Sequence, residues 1–385
     1  MMNYELTDAQ KIIQSGIAKF CREELAGNAA DLDGGTKEEV RSRLRDNLKK
    51  LANAGYLDLL LGDDIVMQCV AGEEVAKACP ATFLCAMSSL TSFGVPVKLF
   101  GTTAQKSRYL DALRNGELVG CLGCTEADGG CDLGGLQTHA EMKGGRWVIT
   151  GVKNFVTNAP LADAFLILAW TDQSIGLEKG LSMFLIDKGT PGLTVGQPLE
   201  TMGLRGALAS EVSLQRCEVG NEALLGGEGS GYAQLNRTMD LIKLAVSSMS
   251  IGIGVCCMEI STAYGKTRKA FGKPIGVFEG VGAKLAVMFT LNDLGRMMTH
   301  RAAWGIEQGQ ADCSVLSSCA KLFTSESVNQ IADLAMQIHG GHGYIKGMDV
   351  ERLYRDARFA VIAHGTSEMQ RTFIARDSLN KFKPL

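Results

Sequence analysis

The sequence predicts an α+β protein, mostly helical, in three consecutive regions: helices over residues 1–117, a small antiparallel β-domain over 118–228, and a bundle of long helices over 229–385. Three observations carry this expectation. Apolar residues recur near every 3.6 positions in the first region and again beyond Gly231, whereas short β-rich runs between Gly and Asp turns fill the middle. The order of helices, sheet and helices matches neither a doubly wound nucleotide fold nor a barrel. With 385 residues, 46% hydrophobic and 21% charged, the chain is long enough for two or three packed regions.

In the first region, "TDAQKIIQSGIAKFCREEL" opens on a capping Thr7, and "KEEVRSRLRDNLKKLANAG" repeats the helical spacing and stops at Gly55. The middle strands read as "RWVITGVKNFVTNA", "DAFLILAWT", "LSMFLIDKG", "GLTVG" and "SEVSLQRCEV". "GGEGSG" at 226–231 has the wrong spacing for a dinucleotide fingerprint and reads as a hinge. Helices are then expected at about 235–268, 280–308 and 314–339, with a last one at about 367–380, as an up-and-down bundle.

A net charge of −3 and the lack of a long Lys/Arg block argue against nucleic acid as a partner. The opening "MMNYELTDAQKIIQ" lacks the pattern of a secretory signal, and no uninterrupted apolar run reaches about 18 residues, so no membrane span is expected. Twelve cysteines, several at apolar helical or strand positions, fit a reducing cytoplasm. Cys121 and Cys124 form a C-x-x-C inside what reads as a buried strand, with no second Cys or His pair at zinc-like spacing.

Several stretches have the composition of a binding site. "GCLGCTEADGGCDLGGL" clusters glycines whose N–H groups can face an anion or a ring edge. "NFVTN" places Phe155 and Thr157 on one strand face, an apolar plane beside a hydroxyl; a half-buried strand has the same pattern. In "YGKTRKAFGKPI", Arg268 suits a diphosphate or a helix C-terminus. "MQIHGGHGY" lets backbone approach a ligand or simply stops a helix, and its His339 and His342 are read as structural. "ERLYRDARF" reads as a local ion-pair network. In "VIAHGTSEMQR", Ser367 and Gln370 satisfy a capping-box pattern, Thr366 adds a hydroxyl, and His364 stands directly before them.

The order and separation of these stretches resemble the acyl-CoA dehydrogenase family of flavoproteins, from "ELTDAQKIIQ" to "IARDSL", with "FVTN", "MGLRG", "TRKAFGKPI", "QIHGGHGYI", "RLYRDAR" and "HGTSEMQR" as its most specific parts. The resemblance implies a C-terminal four-helix bundle, a homotetramer and FAD at a dimer interface. Leu122, Cys124, Thr125, Cys131, Phe155, Thr157, Thr366 and Glu368 match its cofactor positions, and Arg268, Phe271, Gln337, Gly340 and Gly341 match those reaching the dinucleotide across subunits. Cys131, Asp240, Lys243 and Gly365 fall at substrate positions. Cys131 stands where Ser is usual and Lys243 where Arg is usual, and the region near residue 60 lacks a common Pro-Glu-Glu-Tyr-Gly-Gly stretch. The family's usual catalytic Glu precedes the last Gly-Thr, where this chain has His364, and the alternative position on the first bundle helix is Ile242.

The resemblance implies oxidation of an acyl-CoA, or of a thioester on a carrier protein, with electrons passing to an electron-transferring flavoprotein and His364 as the candidate base. Enoyl-CoA reduction and an FAD-binding partner subunit without independent activity are the alternatives.

Overall fold

The computed structural model describes residues 5–381. In the first region, α1 (Asp8–Glu24) and α3 (Lys37–Asn53) begin on reciprocal capping boxes, Thr7 with Gln10 and Thr36 with Glu39. Around them lie α2 (Asn28–Gly34), α4 (Tyr56–Leu60) and α5 (Ile65–Ala78). α6 (Pro80–Met87) runs through a π-helical turn, Ser88–Gly94, into α7 (Val95–Phe100), and α8 (Thr103–Arg114) follows on a third capping box. Gly55, at φ +77, turns the chain between α3 and α4.

The sheet comprises β1 (Gly120–Gly123), β2 (His139–Lys143), β3 (Arg146–Thr157), β4 (Ala164–Trp170), β5 (Leu181–Asp187), β6 (Leu193–Val195) and β7 (Ala209–Val219), with the single turn α9 (Leu177–Gly180) before β5. Its order is β1-β4-β2-β3-β7-β6, with β5 on the other edge of β4. Pairing is antiparallel, including β4 with β5, except that β4 runs parallel to β1 and meets β2 in parallel through His139 and Trp170. The 226–231 segment, expected to be a hinge, is pinned: Gly229 N–H donates to Ser182 Oγ at 2.8 Å, and a Cβ on Gly229 would lie 2.2 Å from the Lys179 carbonyl oxygen.

Three long helices follow, α10 (Gly231–Thr267), α11 (Glu279–Glu307) and α12 (Cys313–His339), with the two-residue hairpin strands β8 (Lys269–Ala270) and β9 (Lys273–Pro274) between the first two. α13 (Asp349–Ala357) and α14 (Ser367–Lys381) complete the chain. Pro80–Phe100 and α10 are long and apolar enough, by length and composition, to cross a membrane, yet 83% and 72% of their most apolar windows are buried inside the protein. Their apolar surface therefore faces neighbouring elements, as in the core helix of a packed domain.

"ERLYRDARF" does more than form a local network. Arg355 pairs with Glu351 one turn away and also with Asp33 of α2 at 2.6 Å, and it donates to the Met202 carbonyl. The buried Asp356 carboxylate accepts the Leu204 N–H at 2.5 Å. Gly203 fits against α13 so closely that a Cβ would lie 2.4 Å from the Arg355 carbonyl. One short helix thus ties all three regions together.

Candidate functional site

β1 and β3 build the first wall of the site. Asn154 N–H donates to the Thr125 carbonyl at 2.8 Å, so the segment after β1 lies beside the end of β3. Beneath it, Lys153 Nζ contacts Glu126 Oε1 at 2.5 Å and the Cys124 carbonyl at 3.3 Å, with Lys153 wholly buried. Burial opposes ionisation of Glu126, but the Lys153 ammonium outweighs it and holds the carboxyl below its usual range. Glu126 in turn accepts the Gln137 and Thr138 N–H groups, closing the loop that carries Cys131.

Strict alternation would put Phe155 and Thr157 on one face, but the register between β3 and β7 shifts between Lys153 and Val156. Phe155 sits in this irregularity at φ +56 and is 68% exposed. A bulge of this kind re-aims a side chain, and it is the bulge that presents the Phe155 ring. Leu122, Cys124, Thr125 and Thr157 line the same strand ends, half-buried, and Cys131 is exposed on the loop.

The second wall is the turn between α13 and α14. The cap of α14 lies one residue earlier than the capping-box reading: Thr366 Oγ1 accepts the Met369 N–H at 3.4 Å, whereas Ser367 Oγ is buried without a partner in the chain. His364 and Gly365 both adopt left-handed backbone, φ +53 and +86. The imidazole Nε2 is sealed from solvent and has no hydrogen-bond partner in the chain, although the residue as a whole is half-buried. Burial first, and then the Lys321 ammonium, push His364 down to about 4. The imidazole is therefore neutral throughout the physiological range. Thr366, Ser367 and Glu368 line a groove of about 290 Å³ with Asn329 and Arg358.

α10 supplies Lys243 and Asp240. Lys243 Nζ contacts Asp240 Oδ1 at 3.2 Å and lies 5.2 Å from the Phe373 ring centroid, while Asp240 Oδ2 accepts from Ser314 Oγ at 2.5 Å. Both carboxylate oxygens of Asp240 are thus engaged within the protein. Ile242 is fully buried.

The remaining candidates form a separate group. Tyr264 near the end of α10 stacks on His339 at the end of α12, 4.5 Å between ring centroids, which brings Arg268 and Phe271 towards Gln337, Gly340 and Gly341. All five are exposed, Phe271 by 94% and at φ +50. His339 Nδ1 also lies 2.8 Å from the Ala335 carbonyl, consistent with its structural reading. Lys321 and His339 are eighteen positions apart on α12, about 27 Å at helical rise. Within one chain this group stands far from His364.

Sequence reasoning missed Lys321. The signal was present in phase: it falls with Ser317, Ala320, Thr324, Ser325 and Val328 on the buried stripe of α12, where an unpaired lysine is unusual.

The residues present fit a flavin dinucleotide: an exposed aromatic plane at Phe155 beside hydroxyls, a groove at the start of α14, and two buried polar atoms, His364 Nε2 and Ser367 Oγ, left unpaired at one turn. Comparison with known proteins agrees. Residues 7–117, 121–217 and 229–379 match the models of the acyl-CoA dehydrogenase N-terminal, middle and C-terminal domains. The chain is 34% identical to the probable acyl-CoA dehydrogenase YngJ of Bacillus subtilis, covering 98% of this chain and 100% of that one. It is 31% identical to the 3-(aryl)acrylate reductase of Clostridium sporogenes over 97% and 99% of the two chains. A solved structure described under the electron transferring flavoprotein of Acidaminococcus fermentans superposes with a TM-score of 0.91 at 30% identity, covering 98% of this chain and 100% of that one.

Proposed function

This chain belongs to the acyl-CoA dehydrogenase family, and from that premise we propose that it oxidises the Cα–Cβ bond of an acyl-CoA, with His364 receiving the α-proton. It is an FAD-dependent oxidoreductase of the CH–CH class. FAD, when bound, supplies the two-electron acceptor for the β-hydride. Phe155 would provide the apolar plane for the ring system, Thr125 and Thr157 the hydroxyls, and Thr366 and Glu368 the contacts at the start of α14. Arg268, Phe271, Gln337, Gly340 and Gly341 of a second copy would hold the dinucleotide, in a homotetramer. Exposed apolar side chains on α11, Phe289, Leu294 and Met297, support self-association.

The observation that carries the direction is the buried, unpartnered and neutral His364 Nε2. A free imidazole has a pKa of about 6.5 and a free glutamate about 4.3. Burial brings His364 to about 4, so the ring is neutral, and free to accept a proton, at neutral pH. In this reading the neutral ring takes the α-proton at Nε2 and holds it while the product leaves. The likeness to the structure described under an electron transferring flavoprotein supports such a protein as electron acceptor. Twelve unpaired cysteines support a cytoplasmic setting.

The reductase relative favours a second reading, hydride delivery to an enoyl thioester. Against an imidazolium donor stands the depressed His364, about one in a thousand protonated at pH 7. Anaerobic mixing tests both readings. Flavin bleaching by a panel of saturated acyl-CoAs is expected, whereas reoxidation of photoreduced protein by enoyl-CoAs, without bleaching by any saturated thioester, would reverse the assignment. If neither occurs and FAD is retained only on co-expression with a homologous chain, the partner-subunit reading replaces both.

A further inference from the structure

The turn that carries His364 is clamped from a neighbouring helix. Lys321, in the body of α12, is 0% exposed, and its Nζ donates to the Gly365 carbonyl oxygen at 2.6 Å. The same oxygen accepts from Gln370 Nε2 at 3.1 Å. Gly365 adopts left-handed backbone freely, but a histidine there is disfavoured and persists only where surrounding contacts over-determine it. The doubly held Gly365 carbonyl is such a contact.

We propose that Lys321 is a positioning residue for the proton-transfer step: its ammonium, tied to the Gly365 carbonyl, fixes the left-handed turn that aims the His364 imidazole. The consequence for turnover rests on His364 as the base; the consequence for the imidazole itself does not. Lys321 faces Glu368 at the start of α14, Lys243 on α10, Cys131 on the middle-domain loop, Glu326 on its own helix, and His364. Burial is the main cause that brings its ammonium down to about 8, so it remains charged at neutral pH. A wholly buried ammonium with a single close acceptor is a poor stabiliser of a fold, and an apolar side chain of similar length would be tolerated as well or better. A role in setting the state of His364 accounts for the charge; packing alone does not.

The test compares the FAD-loaded wild type with Lys321→Met, Lys321→Gln and Lys321→Arg, using NMR titration of the His364 imidazole and steady-state kinetics with an acyl-CoA that bleaches the flavin. In Lys321→Met the imidazole pKa is expected to rise as the like charge is removed. kcat is expected to fall about 10- to 100-fold with KM within about twofold, as for a group acting in the chemical step. Lys321→Arg should keep the low imidazole pKa and recover most of kcat. Lys321→Gln keeps a donor without the charge and answers the same titration should the methionine variant not fold. An unchanged imidazole pKa in a folded, uncharged variant overturns the proposal, as does a Lys321→Met enzyme with native kcat when His364→Ala is slow. Normal turnover in His364→Ala would instead remove the base reading, and the titration would still decide what Lys321 does to the ring.

Discussion

On the His364 side of the site, the backbone and its flanking charges are held by the fold: the Gly365 carbonyl carries two hydrogen bonds, Lys321 is wholly buried, and Asp240 is engaged by Lys243 and Ser314. On the aromatic side, Phe155 and Phe271 stand 68% and 94% exposed. Both sides carry the same backbone signature, a non-glycine residue at positive φ: His364 at +53, Phe155 at +56 and Phe271 at +50. Strain of this kind concentrates where function is built. The difference teaches a division of labour: around His364 the chain fixes the backbone but leaves Nε2 and the Ser367 hydroxyl without a partner in the chain, whereas Phe155 and Phe271 stand out as exposed rings.

The largest expected break in this comparison is His364→Ala, which removes the proposed base and should lower kcat by about 10²–10⁴-fold while FAD stays bound. His364→Glu should restore much of the loss, and stopped-flow bleaching of the flavin measures both. Next is the pH dependence of stability. With His364 near 4 in the fold and about 6.5 when unfolded, the unfolded chain takes up the extra proton between these values. Stability contributed by the neutral ring is therefore complete above about pH 6.5 and is lost progressively towards pH 4, by up to about 3 kcal/mol. Urea titrations across this window should show the slope, and His364→Gln should flatten it.

Gly365→Ala probes the same half more gently. At φ +86, with a built Cβ 2.6 Å from Gln370 Nε2, the substitution should destabilise by about 1–2 kcal/mol and slow turnover together, read by melting and kcat. The aromatic half should respond in the opposite way. Phe271→Ala is expected to leave the unfolding midpoint of the apoprotein within about 0.5 kcal/mol of native, as for exposed positions. Its effect should appear as FAD retention about tenfold weaker, the loss of roughly one aromatic contact, measured by fluorescence titration.

Much of this was legible in the sequence. The helices expected at 235–268, 280–308 and 314–339 appear as Gly231–Thr267, Glu279–Glu307 and Cys313–His339, because long amphipathic periodicity is a strong local signal. What escaped depends on contacts between distant segments. The Phe155 bulge is a mismatch between β3 and β7, visible only once the two strands pair. The α14 cap moved from Ser367 to Thr366 because Ser367 is buried, which no cap motif records. Lys321 looked like one more helix lysine, since its partner is a carbonyl 44 residues away. His364 was placed by resemblance, but its neutrality follows from burial and from Lys321, neither of which a motif contains.

The charged cluster on α13 has a consequence for how the molecule comes apart. Arg355 holds Asp33 and the Met202 carbonyl, and Asp356 holds the Leu204 N–H. Detaching any one region would strand a buried charge, at a cost that commonly exceeds that of losing the pair as a whole. Melting should therefore be cooperative across the chain. In a Trp304→Phe background, which leaves only the sheet's Trp147 and Trp170 indoles, fluorescence should report the same midpoint as the helices followed by circular dichroism. In Arg355→Met the two midpoints should separate, turning one transition into two.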